Sequence, residues 1–243
     1  MSDESDVNGR TPAHIGIVAG TAEGAALCYR SLQQEALLLM APGQQPEVTV
    51  HSYPLCDYLD LIDRDDWKGV GRLMSRSASK LVQLGANMII CPNNTLHQAF
   101  DTVESPVPWI HIATAVVDET VRQRFHSVGI LGTRIVIEGA IYRAKLQRHG
   151  IESIIPALND RIRIQRLIRT ELIGGRYTLE SRRYLEDVIG GLAARGAEAV
   201  ILGCTELPVL LSEANAAIPL LDSTRLLAMA ALEHSRLIHA ASI

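Results

Sequence analysis

Gly196-Ala197-Glu198-Ala199-Val200-Ile201-Leu202-Gly203-Cys204-Thr205-Glu206 repeats, with changes, an earlier stretch: Gly85-Ala86-Asn87-Met88-Ile89-Ile90-Cys91-Pro92-Asn93-Asn94-Thr95. Each is a glycine stop, a short apolar strand and a polar loop. A second pair behaves likewise, with Ile15-Gly16-Ile17-Val18-Ala19-Gly20-Thr21 answered by Val128-Gly129-Ile130-Leu131-Gly132-Thr133. Short β-branched runs alternating with longer amphipathic segments are the pattern of parallel sheets covered by helices on both faces. The duplication therefore predicts an α/β fold of two pseudosymmetric doubly wound lobes. Each lobe is a mainly parallel four-stranded sheet flanked by helices, and an interlobe cleft lies between them. Such a cleft can present related groups to the two sides of one small molecule.

Working outward, strands are expected near 15–19, 47–52, 87–91, 108–112, 127–131, 152–155, 199–203 and 219–221. Helices are expected near 23–40, 67–84, 95–104, 114–125, 135–149, 160–173, 179–195, 207–213 and 224–241. Asp66 and Asn159-Asp160 open helices, and Gly85, Gly150 and Gly196 close them. Residues 14–112 with 224–243 make the first lobe, and 113–223 the second. The last helix, after Asp222-Ser223-Thr224, has no strand behind it and is expected to fold back onto the first lobe. The polar segment 1–13 is expected to be disordered.

Bulk properties exclude several classes. The 243 residues are 47% hydrophobic and 21% charged, ordinary for a compact protein. A net charge of −4 argues against a nucleic-acid groove or an anionic membrane surface as partner. Four cysteines (Cys28, Cys56, Cys91, Cys204) in no paired or finger spacing point to a reducing, cytoplasmic compartment rather than a disulfide framework. No apolar run is long enough for a membrane span. The eight histidines do not cluster at ligand spacing, so no metal site is expected. Ala19-Gly20-Thr21-Ala22-Glu23-Gly24 lacks the first glycine of a dinucleotide fingerprint.

Ligands of open parallel sheets sit beyond the carboxyl ends of the strands. That rule nominates the loops at Gly20-Thr21, Ser52-Tyr53-Pro54, Pro92 to Thr95, Gly132-Thr133 and Gly203 to Glu206. The same glycines and threonines also serve as tight turns and helix caps. Cys204 ends a strand where a helix starts, and unpaired N–H groups there favour a thiolate. A free cysteine in that place reads equally as a small buried hydrophobe. Glu206 reads as an acid/base partner of Cys204 or as a dipole-stabilising carboxylate. His51 and Tyr53, ending a strand at the cleft, are candidates for selecting the substrate side chain. His97 reads as a cap or core residue. Arg161, Arg163, Arg166 and Arg169 read as a solvated helix face.

The stretch from Gly196 to Pro208, together with Asn94-Thr95-Leu96-His97, resembles the two signature regions of the aspartate/glutamate racemase family. Ile15 to Gly20, Leu131-Gly132-Thr133-Arg134 and Pro219 to Thr224 extend the resemblance over nearly the whole chain, in order. It implies two pseudosymmetric α/β lobes, no cofactor, a homodimer, and a small acidic amino acid or dicarboxylate as partner. It also implies two cysteines flanking the α-carbon, one removing a proton and the other returning it on the opposite face. The expected substrate-binding residues are Thr21, Tyr53, Asn93, Asn94, Thr95, Thr133, Thr205 and Glu206, around catalytic Cys204 and Cys91.

The chain departs from the family at one point. Family members carry the first-lobe cysteine directly before the Asn-Thr pair, where this chain has Asn93. Its own repeat agrees: Cys204 lies eight residues after Gly196, and Asn93 eight after Gly85. Cys91 reaches the substrate only if it acts from deeper in the strand or if Pro92 marks a bulge. The expected function is a cofactor-independent racemase of aspartate or glutamate; the alternatives are a one-thiol decarboxylase or cis-trans isomerase of a dicarboxylate, and a non-catalytic binding protein.

Overall fold

The computed structural model describes residues 14–41 and 43–241, with side chains through 235. Segment 1–13 lies outside the described residues. Eight strands form where the alternation places them: β1 (His14–Ala19), β2 (Glu47–Ser52), β3 (Met88–Ile90), β4 (Trp109–Ile110), β5 (Ser127–Gly132), β6 (Glu152–Ile154), β7 (Ala199–Gly203) and β8 (Leu220–Asp222). They make two parallel sheets of identical order, β2-β1-β3-β4 and β6-β5-β7-β8.

Alternation along β1 builds the first lobe. Ile15 and Ile17 pack on one face with Cys28 and Leu32 of helix Ala22–Leu39, while Val18 points to the other face, against Val70 and Met74 of helix Trp67–Gln83. All of β1 is buried, as a central parallel strand must be. The helix stops work as read: Gly85 and Gly196 take φ of +100° and +97°, a left-handed turn that a side chain strains. The second lobe closes around one core joining Ile130, Leu146, Ile164, Leu185 and Ile201.

The final helix, Ser223–Ala241, returns to the first lobe, where Leu227, Ala228, Ala231 and Leu232 are buried beside Ile15, Ile17 and Leu32. Its two leucines alone stabilise that contact by roughly 3–6 kcal/mol. Among the described residues no helix is long and apolar enough to cross a membrane.

Three expectations need correction. The stretch 135–149 is two helices, Arg134–Glu138 and Ala140–Arg148, because Gly139 leaves helical geometry between them. Helix Leu158–Leu167 runs into a widened π turn, Ile168–Leu172, of the kind that collects at functional sites. Helix Leu55–Asp63 was not expected at all. Pro54 before it, and apolar Leu55, Tyr58, Leu59 and Ile62 at helical spacing, were the available signals.

Candidate active site

Strand order reverses between β1 and β3, and again between β5 and β7, so each lobe opens a crevice at the carboxyl ends of those strands. The two crevices face each other and merge into a cavity of about 700 Å³, its open mouth included. Its floor is polar: Gly20 and Thr21 follow β1, Asn93, Asn94 and Thr95 follow β3, Thr133 follows β5, and Cys204, Thr205 and Glu206 follow β7. Its walls are mostly aliphatic. Leu55, Tyr58, Leu59 and Ile62 come from helix Leu55–Asp63, and Ile135, Ile168 and Ile173 from the second lobe.

Hydroxyl groups stitch the lobes together along the floor. Thr21 Oγ1 lies 3.4 Å from Thr205 Oγ1, and Thr95 Oγ1 lies 3.0 Å from Thr133 Oγ1. Thr21 and Thr133 also cap the helices that follow them, accepting from Gly24 N and Val136 N. Asn94 is 2% exposed and held from both ends: its amide donates to Ser223 Oγ at 2.9 Å, and its carbonyl accepts from the Tyr142 hydroxyl. Asn94 therefore lines the cavity but is already occupied as an interlobe clamp. Tyr142 and Ser223, both buried, were not anticipated from sequence as its partners.

Cys204 lies on the cavity floor and is 8% exposed. Its Sγ donates to Glu206 Oε2 at 3.0 Å, and the same oxygen accepts from Thr205 Oγ1 at 2.9 Å. Burial first, and then the Glu206 carboxylate, push the thiol well above its ordinary range. This corrects the expectation of a thiolate favoured by a helix N-terminus. The helix that follows, Leu207–Leu210, is a single turn, and the N–H of Glu206 is outweighed by the carboxylate of the same residue. Cys204 rests as a protonated thiol hydrogen-bonded to the Glu206 side chain.

The sheet registers fix what stands in the corresponding place on the first lobe. Gly16 of β1 pairs with Ile89, and Gly129 of β5 pairs with Val200. Counting on from those pairs, Asn93 occupies the position of Cys204 and Cys91 that of Leu202. Cys91 is fully buried in the first-lobe core with Met74 and Ile89, does not line the cavity, and is pushed up to about 12 by burial. A bulge at Pro92 does not rescue it. Cys91 follows Ile90, the last residue of β3, and its side chain lies with Val18, Met74 and Ile89 in the core under helix Trp67–Gln83.

Asn93 is instead built into the loop. Its Oδ1 accepts from Leu96 N at 3.2 Å, and its backbone carbonyl accepts from His97 Nδ1 at 2.9 Å. His97 Nε2 in turn accepts from Ile112 N, and burial lowers its pKa to about 4, so it stays neutral and fixes the loop. Gly20 makes room for this arrangement: a Cβ there would sit 2.4 Å from Asn93 Nδ2.

Tyr53 does not line the cavity. Strand β2 is the sheet edge, and the Tyr53 ring turns to helix Trp67–Gln83, packing edge-on to His51 at 4.6 Å with Lys80 Nζ 4.7 Å from its centroid. Tyr58, unforeseen, takes a place in the wall. Arg169, expected on a solvated face, stands at the mouth of the cavity, where its Nη2 donates to Asp63 Oδ1 at 2.6 Å across the cleft.

The chain as a whole is similar to known sequences. The profile described as Asp/Glu/hydantoin racemase matches residues 18–231. The chain belongs to that family. Among relatives of this racemase-family chain, the broad-specificity amino-acid racemase RacX of Bacillus subtilis is 28% identical over 189 residues, covering 75% of this chain and 79% of RacX. The glutamate racemase of Deinococcus radiodurans is 28% identical over 222 residues, covering 85% and 68%. Among solved structures, an aspartate racemase homologue from Pyrococcus horikoshii superimposes with a TM-score of 0.78 at 26% identity, covering 92% of this chain and 99% of the other. Glutamate racemase from Francisella tularensis, in complex with D-glutamate, shares the fold at a TM-score of 0.65 and 16% identity, covering 96% and 83%.

Proposed function

We propose that this family member makes and breaks a C–H bond beside the carboxylate of a small amino acid or dicarboxylate, from one face, with Cys204 as its only thiol. One observation carries this: the first-lobe position equivalent to Cys204, also on the cavity lining, is held by Asn93, whose amide neither takes up nor gives a proton at neutral pH. Glu206 accepts the Cys204 proton across 3.0 Å, the sulfur takes the α-proton, and the electron pair left on carbon moves into the carboxylate as an enediolate. Reprotonation runs the same steps backwards. A carbon acid this weak reacts only if that enediolate is stabilised, and the hydroxyls of Thr21, Thr95 and Thr133 on the cavity lining are the donors available for it. The raised thiol suits Cys204 as the proton donor to a carbanion, including one generated by loss of carbon dioxide from a malonate-like diacid.

Racemisation is the second reading, favoured by the family and by the activity named for RacX. It requires a proton from the Asn93 side, which water held by that amide would supply. Aspartate, glutamate and related dicarboxylates are the first substrates to test, since the family is named for them. Incubation in D₂O, followed by proton NMR and chiral chromatography, separates the readings. One-face chemistry exchanges the α-proton of one enantiomer with retention, or gives a single labelled enantiomer on decarboxylation. Equal exchange and inversion of both enantiomers establishes the racemase instead. No exchange or decarboxylation across amino acids and malonates, with folded protein, overturns both.

A further inference from the structure

Resting on that one-thiol reading, we propose that the side chain carried by the reacting carbon is apolar, branched aliphatic or aromatic, and does not end in a carboxylate as those of aspartate and glutamate do. The cavity is divided. Its floor gathers the threonine hydroxyls, Asn93 and Cys204, which suit one carboxylate and the reacting carbon. Above the floor the walls are Leu55, Leu59 and Ile62 on one side and Ile135, Ile168 and Ile173 on the other. Leu55, Leu59, Ile62 and Ile135 are only half-buried and Ile173 is 38% exposed, although all five line the cavity; a ligand of matching character would cover them.

Charge points the same way. Recognising aspartate or glutamate needs a cation for the side-chain carboxylate. Arg169 is the one cationic side chain among the described residues lining the cavity, and Asp63 already neutralises it at 2.6 Å. A carboxylate set between Leu59 and Ile168 would lose its hydration with no partner in return. An apolar group gains about fourfold in affinity for each methylene it buries. A leucine-sized substituent is therefore expected to be preferred over a carboxymethyl group by roughly 100-fold or more.

The test has two arms. Exchange of the α-proton in D₂O is compared for leucine, phenylalanine, aspartate and glutamate, both enantiomers of each, and for isobutylmalonate against methylmalonate with carbon dioxide release as the readout. Binding of the same compounds to the Cys204→Ser protein is measured by calorimetry. Preference for the apolar compounds in turnover, lost in Leu59→Asp and separately in Ile135→Asp, supports the proposal. Preference for aspartate or glutamate overturns it while leaving the one-thiol chemistry standing. If no compound turns over, the binding arm decides: selective binding of the apolar carboxylates keeps this inference and discards the chemistry. Equal binding, or none, discards the inference.

Discussion

Replacing Glu206 by Gln removes one negative charge 3.0 Å from the Cys204 sulfur while keeping the size and shape of the side chain. Glu206 raises the thiol both by its charge and by accepting its hydrogen bond, so the change must move Cys204 back toward the thiolate. A like charge at such range alters the thiolate population by roughly 10- to 1,000-fold. A more acidic thiol is also a weaker nucleophile, which takes back about half of that gain on a logarithmic scale. Alkylation of Cys204 by iodoacetamide near neutral pH is therefore expected to run about 3- to 30-fold faster in Glu206→Gln than in the parent. Peptide mass spectrometry reads the rate at each cysteine, and exposed Cys56 serves as the internal reference. Turnover should move in the opposite direction, falling about 100- to 10,000-fold, if Glu206 is the base that receives the thiol proton. Alkylation of Cys204 that is unchanged or slower, in a protein of unchanged melting temperature, refutes the coupling of the two groups.

Cys204→Ser should abolish turnover with little change in melting temperature, since sulfur and oxygen fill the same place at the cavity edge; residual activity within tenfold of the parent would remove Cys204 from the chemistry. Asn93→Cys places a thiol at the first-lobe position equivalent to Cys204 and should convert one-face exchange into exchange and inversion of both enantiomers, read by chiral chromatography after incubation in D₂O. Cys91 is held protonated to about 12 in the folded chain, against roughly 8.5 for a free thiol. Its pKa is raised, so its contribution to stability is full below pH ~8.5 and declines as pH rises from there toward 12. Thermal melts of Cys91→Ala should show a shallower loss over that window, and activity should persist in the variant. Gly20→Ala should push Asn93 off its site and cost roughly 1–3 kcal/mol, visible as a lowered melting temperature together with impaired turnover.

Much of this protein was legible in its residues because two periodicities carry it. The apolar runs at 15–19, 127–131 and 199–203 are too short and too β-branched for helices, and their duplication with the Gly-Thr and Gly-Ala signals foretold two equivalent sheets. The loops that follow were therefore known to share a cleft, and Thr21, Asn93, Thr95, Thr133, Cys204, Thr205 and Glu206 do meet there. Even the odd count that sets Asn93 opposite Cys204 could be made from glycine spacing, and the strand registers repeat it.

Side-chain direction and electrostatic balance were not legible in the same way. Tyr53 and Tyr58 sit five residues apart, and only the turn at Pro54 and the helix after it decide that Tyr58 enters the cavity wall while Tyr53 turns away. The state of Cys204 depends on a carboxylate two residues on, whose rotamer places an oxygen at 3.0 Å; sequence shows the neighbour but not the distance. Arg169 and Asp63 belong to different lobes, and their pairing exists only once the lobes close. Period and spacing are properties of the chain and fix which strands and loops form. Distance between groups remote along the chain depends on packing, and it is distance that sets the proton affinity of Cys204 and the character of its cleft.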